Sequence, residues 1–217
     1  MATLEDLQEY CLGKKIIIVG NSSSLLGSYN KKLIDNYDIV VRINRGYQYK
    51  RGLFDEHIGS TTNILSIGVK TATQAAIIIQ GNSVNYILSP IIYSEKLNYP
   101  NVYDITQDTY NSLKQSLGNV KPSTGISTYN FFNRFIDFSR LDLIGFDFFE
   151  SSTRQRNQLG HIKVADHDSS KEIEFFENNH DPDKTIIHKL KGIGYIPNNI
   201  PTHHQTNQFF LKNNKRR

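Results

Sequence analysis

Residues 14–44 read "KKIIIVGNSSSLLGSYNKKLIDNYDIVVRIN". Ile16, Ile17, Ile18 and Val19 form a short β-branched run that stops at Gly20, the pattern of a strand buried on both faces. Ile39–Ile43 repeat it, and the amphipathic stretch 25–35 between them predicts a helix. Strand, helix, strand within thirty or so residues is a βαβ unit with parallel strands. At the end of the first strand a dinucleotide-binding loop would carry G-x-G-x-x-G. Gly20-Asn21-Ser22-Ser23-Ser24 stands there instead. An asparagine and a row of hydroxyls suit a turn and a cap, and equally a polar ligand.

The alternation continues outward. Apolar runs predict strands at 15–20, 38–44, 62–68, 84–89, 101–105, 141–146 and 192–197. Helices are predicted at 25–35, 69–79, 107–117, 125–138, 168–178 and 182–191, the last two capped by Asp168 and by Asp181-Pro182. No element is assigned before residue 15. The expected fold is α/β: a single Rossmann-like domain with a mostly parallel twisted sheet flanked by helices. It spans 1–205, with a basic C-terminal tail at 206–217. The polar stretch 147–166 has the length of a binding loop or lid.

Composition narrows the function. The 217 residues carry a net charge of +4. Lys212, Lys215, Arg216 and Arg217 account for all of it, so residues 1–211 are formally neutral and a nucleic-acid partner is not expected. The tail reads as a solvated end, or as a weak peripheral contact with anionic lipid through its cations and Phe209, Phe210 and Leu211. The lone Cys11 excludes an internal disulfide and a cysteine-rich zinc site. The opening "MATLEDLQEYCLGKK" lacks the apolar core of a signal peptide, and no stretch approaches 18 apolar residues. A cytoplasmic setting is expected, with membrane contact only peripheral at its inner face.

In open α/β sheets ligands sit beyond the carboxyl ends of the strands. Residues there are Asn21, Ser22 and Ser23 after the first strand, Arg42 and Asn44 at the second, and Gly145-Phe146-Asp147 after "LDLIG". Arg42 reads as a partner of Asp35 or Asp38, or as a brace of the site. Gly59-Ser60-Thr61-Thr62 precede the third strand. Pro122-Ser123-Thr124-Gly125 open a helix, where hydroxyl, backbone N–H and dipole converge on an anion.

These segments together resemble a known family. "VGNSSSLLGS…IDNYDIVVRIN…IGSTTN" is similar to the large sialylmotif of the animal-type sialyltransferases, glycosyltransferase family 29. "PSTGISTYNFF…LDLIGFDFF" is similar to the small sialylmotif. The resemblance covers roughly 15–68 and 121–149, in the family's order. It implies a GT-A-like variant of the fold and inverting transfer of a sugar acid from a CMP-activated donor to a glycan or glycolipid hydroxyl. It also implies nucleotide and donor contacts at Asn21, Ser22, Ser23, Asn44, Ser123, Thr124, Gly125, Gly145 and Phe146. No cofactor and no metal are expected, since one phosphate needs no diphosphate-neutralising cation. Asp181-Pro182-Asp183 is the nearest approach to D-x-D and reads better as a cap.

The family's last motif places a histidine five residues before a glutamate at the mouth of a late helix. "HDSSKE" fits with His167 and Glu172, while "HDPDKT" offers His180 with Thr185 in the glutamate's place. Spacing to the helix and strand that follow ranks His180 ahead of His167 as catalytic base. One of the pair, or His161, is available to assist the departing phosphate. His188 reads as a packing residue within a helix, and His203 and His204 as a chance pair. Animal members carry a membrane anchor and a disulfide between the motifs. This chain lacks the cysteines for one, so a short, soluble microbial or viral relative is expected. Sialic acid and Kdo share the carboxylate and anomeric chemistry, leaving the donor open, with Arg154 or Arg156 as carboxylate partners. Alternatives are a CMP-Kdo-type transferase of surface polysaccharide synthesis, a non-catalytic CMP-sugar-binding module, or a nucleotide hydrolase.

Overall fold

The computed structural model describes residues 1–25, 27–44, 55–68, 84–89, 99–146, 148 and 167–190. The predicted helix 69–79, the strand 192–197, the tail, Arg154, Arg156, His161, His203 and His204 lie outside these residues. In chain order the elements are α1 (Leu4–Cys11), β1 (Lys15–Val19), α2 (Lys31–Asp35), β2 (Ile39–Ile43), α3 (Asp55–Ile58), β3 (Ile64–Ser66) and β4 (Tyr86–Ser89). β5 (Val102–Asp104), α4 (Gln107–Ser116), α5 (Thr124–Phe135), β6 (Arg140–Ile144), α6 (Ser169–Asn179) and β7 (Thr185–His188) follow.

The strands form one seven-stranded sheet in the order β5-β4-β3-β2-β1-β6-β7, with every pairing parallel. The predicted Rossmann-like architecture is therefore the observed one. The chain winds outward from β1 to β5, then crosses back through α5 to place β6 on β1's other side. That reversal between β1 and β6 is a topological switch point, where doubly wound sheets open a crevice at their carboxyl ends.

Two apolar layers cover the sheet because β1 and β2 are hydrophobic on both faces. Ile16, Ile18, Val41, Leu141 and Leu143 pack with Leu7, Cys11, Tyr129, Phe131, Phe132 and Phe176. Ile17, Val19, Val40 and Ile144 pack on the opposite side with Leu25, Ile34 and Ile58. Among the described residues no helix is long and apolar enough to cross a membrane.

Two predicted elements differ from the fold, and two helices, α1 and α3, lie where none is predicted. The helix expected over 25–35 is two pieces, a 3-10 turn at Ser23–Leu25 and the five-residue α2. Positive φ at Gly27 and Tyr29 separates them, a conformation an α-helix does not allow. The helix expected over 182–191 is the strand β7. Its β-branched residues suit a pleated surface. Asp181 closes a turn instead of capping a helix, its carbonyl accepting from Lys184 and Thr185 N–H. α1, unassigned from sequence, is started by a full capping box between Thr3 and Asp6, with Leu7 and Cys11 buried. Burial pushes the Cys11 thiol up to about 12, so it is an inert packing group.

Candidate functional site

β1 and β6 end side by side, and their loops interlock. Gly20 N–H donates to Ile144 O at 2.8 Å and Ser22 N–H to Gly145 O at 3.1 Å. Gly20 lies so close to Gly145 that a Cβ on it would overlap the Gly145 carbonyl and reach Phe146 at 3.0 Å. Gly125, at the start of α5, touches the same ring: a Cβ there would stand 2.8 Å from Phe146 Cε1. Phe146 thus sits between the end of β1 and the start of α5, half-buried at the rim of the crevice.

Asn21 turns across the crevice and its Nδ2 donates to Ile43 O at 3.1 Å. Its Oδ1 is buried without a hydrogen-bond partner among the described residues. A buried amide oxygen in that condition is an acceptor awaiting a donor. Ser22 is turned inward, 3% exposed; its Oγ accepts from Ser24 N–H at 3.0 Å and lies 2.6 Å from Ser24 Oγ. Ser23 opens the 3-10 turn. Since that turn is only three residues long, no helix dipole backs this loop.

Asn44 ends β2 in the left-handed region at φ 49°, which asparagine tolerates better than other side chains. Its Oδ1 accepts from Gly68 N–H at 2.5 Å and its Nδ2 donates to Thr124 Oγ1 at 3.3 Å. One carboxamide thereby ties β2, β3 and α5 together. Gly68, not singled out in the sequence, is the residue that allows this: a Cβ on it would overlap Thr124 Oγ1. Arg42 lies below, 1% exposed. Its Nε donates to Thr61 O at 2.9 Å and Thr62 Oγ1 at 3.0 Å, and an Nη to Ile58 O at 2.7 Å. Asp35 accepts from Ser60 N–H, Ser60 Oγ and Thr61 N–H. The Gly59–Thr62 segment is therefore a brace under the site, with Arg42 paired to it instead of to Asp35 or Asp38. Burial pushes Asp35 up, but the Thr61 and Ser60 donors outweigh it and hold the carboxyl below its ordinary value.

α5 begins at Ser123, whose Oγ accepts from Ile126 N–H at 3.2 Å. Thr124 and Gly125 carry the first-turn amides, which helical geometry leaves without carbonyl partners in the helix. The four pieces so far brought together at the switch point are Gly20-Asn21, Asn44, Thr124-Gly125 and Gly145-Phe146.

The histidines part company. α5 and α6 run in the same direction: Ser123 meets Glu172 near their starts, Tyr129 meets Phe176 midway at 4.9 Å, and Asn133 bonds Asn179 O at their ends. His167 precedes Asp168, the N-cap of α6, and so lies at the crevice end. Its Nδ1 is 2.9 Å from Lys121 O. A carbonyl only accepts, so Nδ1 carries the hydrogen and Nε2 is the basic nitrogen of the neutral ring. His180 is the C-cap of the same eleven-residue helix, roughly 16 Å further along its axis at 1.5 Å per residue. There it stacks on Phe176 at 4.7 Å. The expectation that His180 opens a late helix fails because the chain enters β7 and not a helix. His188 is also on β7, bonded to Asp142.

A parallel α/β sheet with a polar crevice at its switch point is a ligand-binding plan shared by many doubly wound proteins. The family model for glycosyltransferase family 29 (sialyltransferase) matches residues 11–134. The chain belongs to this family, and it is a glycosyltransferase of the sialyl-transferring kind. A crystal structure of a mammalian sialyltransferase is similar, with 18% identity, 82% of this chain and 69% of that chain covered, and a TM-score of 0.53. Another, of a mammalian sialyltransferase in complex with Gal-beta-1-3GalNAc-ortho-nitrophenol, is similar at 19% identity, covering 82% and 70%, with a TM-score of 0.52. At these identities the likeness speaks to the fold. No curated protein sequence matches the chain.

Proposed function

We propose that the protein transfers sialic acid, or a related keto-sugar acid, from its CMP-activated donor to a glycan hydroxyl, with inversion and without a metal ion. The observation that carries this reading is the convergence of Asn21, Asn44, Thr124, Gly125 and Phe146 at the switch point, with His167 fixed nearby through Lys121. The first-turn amides of α5 suit a single phosphate. Asn21 Oδ1, unpartnered among the described residues, suits a ribose hydroxyl or base amine. His167 Nε2 takes the proton of the acceptor hydroxyl as its oxygen attacks the anomeric carbon. The bond from that carbon to the phosphate oxygen breaks, and CMP leaves with its charge held at α5. A glycan acceptor is favoured by the acceptor analogue crystallised with the mammalian relative.

The test is a donor screen of CMP-sialic acid, CMP-Kdo, UDP-sugars and GDP-sugars, with a galactosyl acceptor, with and without EDTA. Acceptor-dependent CMP release in EDTA is the expected result. Loss of activity in EDTA overturns the metal-free step. Acceptor-independent release identifies a hydrolase, and CMP binding without turnover of any donor identifies a binding module.

A further inference from the structure

Glu172 lies in the first turn of α6 and is 3% exposed. A carboxylate so deeply placed needs partners, and Ser123 supplies both. Oε1 accepts from Ser123 N–H at 2.8 Å, and Oε2 accepts from Ser123 Oγ at 2.8 Å. Because Ser123 Oγ also accepts from Ile126 N–H, its hydroxyl is committed in both directions. Ser123, read from the sequence as a ligand contact, thus spends its N–H and its O–H on Glu172.

Two residues upstream, Lys121 O receives His167 Nδ1–H. The segment 121–123 is therefore clamped twice by 167–172, once through a backbone carbonyl and once through a bidentate carboxylate. One end of the clamp carries the candidate base; the other opens the helix whose next two residues face the crevice. Burial pushes Glu172 above its ordinary value while the Ser123 bonds pull it down.

The geometry points to Glu172 as a positioning residue that sets the distance between His167 and the Thr124-Gly125 turn by acting through Ser123. This rests on the transferase reading above. Alanine at 172 removes the carboxylate and leaves Ser123 N–H and O–H without their acceptor, whereas glutamine would not, because the Ser123 hydroxyl can turn to accept from its NH2. Alanine at 123 removes the hydroxyl and leaves Oε2 unpaired.

The test compares wild type, Glu172→Ala, Ser123→Ala and the double variant in the full chain. Each single variant is expected to lower kcat about 100-fold, the effect of misplacing a reacting group by about 1 Å, with CMP Kd by calorimetry changed less than about threefold. The double variant is expected to be no worse than the poorer single one, because both break the same link. Ser123→Thr, which keeps the N–H and hydroxyl, is expected to retain kcat within about threefold. An activity-free reading comes from NMR: the His167 Nδ1–H signal is expected to exchange slowly in wild type and to be lost in Glu172→Ala. If wild type transfers no sugar but this NMR coupling holds, the functional reading fails and the clamp stands. Wild-type kcat in Glu172→Ala, additive losses in the double variant, or an unchanged His167 signal overturns the clamp.

Discussion

His188 Nε2 lies 2.8 Å from Asp142 Oδ2, joining the edge strand β7 to β6. Asp142 is fully buried and also accepts from Arg140 Nε at 2.9 Å, Arg140 Nη2 at 3.0 Å and the Tyr37 hydroxyl. Burial alone would push this carboxyl up. The bonds from His188, Arg140 and Tyr37 outweigh it and hold it at about 2, against an ordinary 3.8. A carboxyl depressed in the folded state contributes stability above its unfolded pKa and loses it as pH falls through the folded one. The window is therefore about pH 4 down to about pH 2, and the shift is worth ~2 kcal/mol. Asp142→Asn is expected to lose that amount at pH 7, with its difference from wild type shrinking toward pH 2. Urea melts across this range check it; a constant difference rejects the charge as the cause.

His167 and His180 occupy opposite ends of α6, so their variants separate chemistry from packing. His167→Ala is expected to lower kcat by 10²–10⁴, the usual contribution of a general base, with little change in CMP affinity. His180→Ala loses only its stacking on Phe176 and its helix-end bonds, and is expected to keep kcat within about threefold. Steady-state transfer assays, paired with calorimetry, distinguish the two.

Asn21 and Asn44 are the same residue type in different employment. Asn21→Ala is expected to weaken CMP binding about tenfold, one lost hydrogen bond of roughly 1.4 kcal/mol, with a small effect on stability. Asn44→Ala strands Gly68 N–H and places alanine at positive φ, so a loss of about 1–3 kcal/mol in stability is expected. Calorimetry and urea melts on the same two variants check the contrast.

Gly68→Ala drives a methyl group into Thr124 Oγ1. Opening the packing between β3 and α5 is expected to cost about 1–3 kcal/mol and to weaken CMP binding by displacing Thr124. A Gly68→Ala variant with wild-type stability and CMP affinity would show that this close approach is dispensable.

The strands were legible because a strand covered on both faces is largely apolar: Ile16–Val19 and Ile39–Ile43, interrupted only by Arg42, announce themselves. Asp168 was legible as a cap for a similar reason, since a helix start needs an acceptor at that spot. β7 was not legible. Pro182-Asp183-Lys184 has the local form of a helix start, and Thr185–His188 became a strand only because β6 offered an open edge and Asp142 a bonding partner. The break in the predicted helix at 25–35 turned on backbone conformation at Gly27 and Tyr29, where the apolar pattern carries no signal.

For the site, the sequence alone determined which polar residues stand at the ends of buried strands and that "HDSSKE" pairs a histidine with a glutamate five residues on. Only the tertiary structure decided their duties. It turned Ser123 and Glu172 toward each other, made Asn44 and Arg42 into braces, left Asn21 Oδ1 without a partner among the described residues, and sent His180 to the far end of α6. The physical reason is that local sequence limits what a side chain can bond, whereas its actual partners come from elements 20 to over 100 residues away, as with Asn44 and Thr124 or Tyr37 and Asp142.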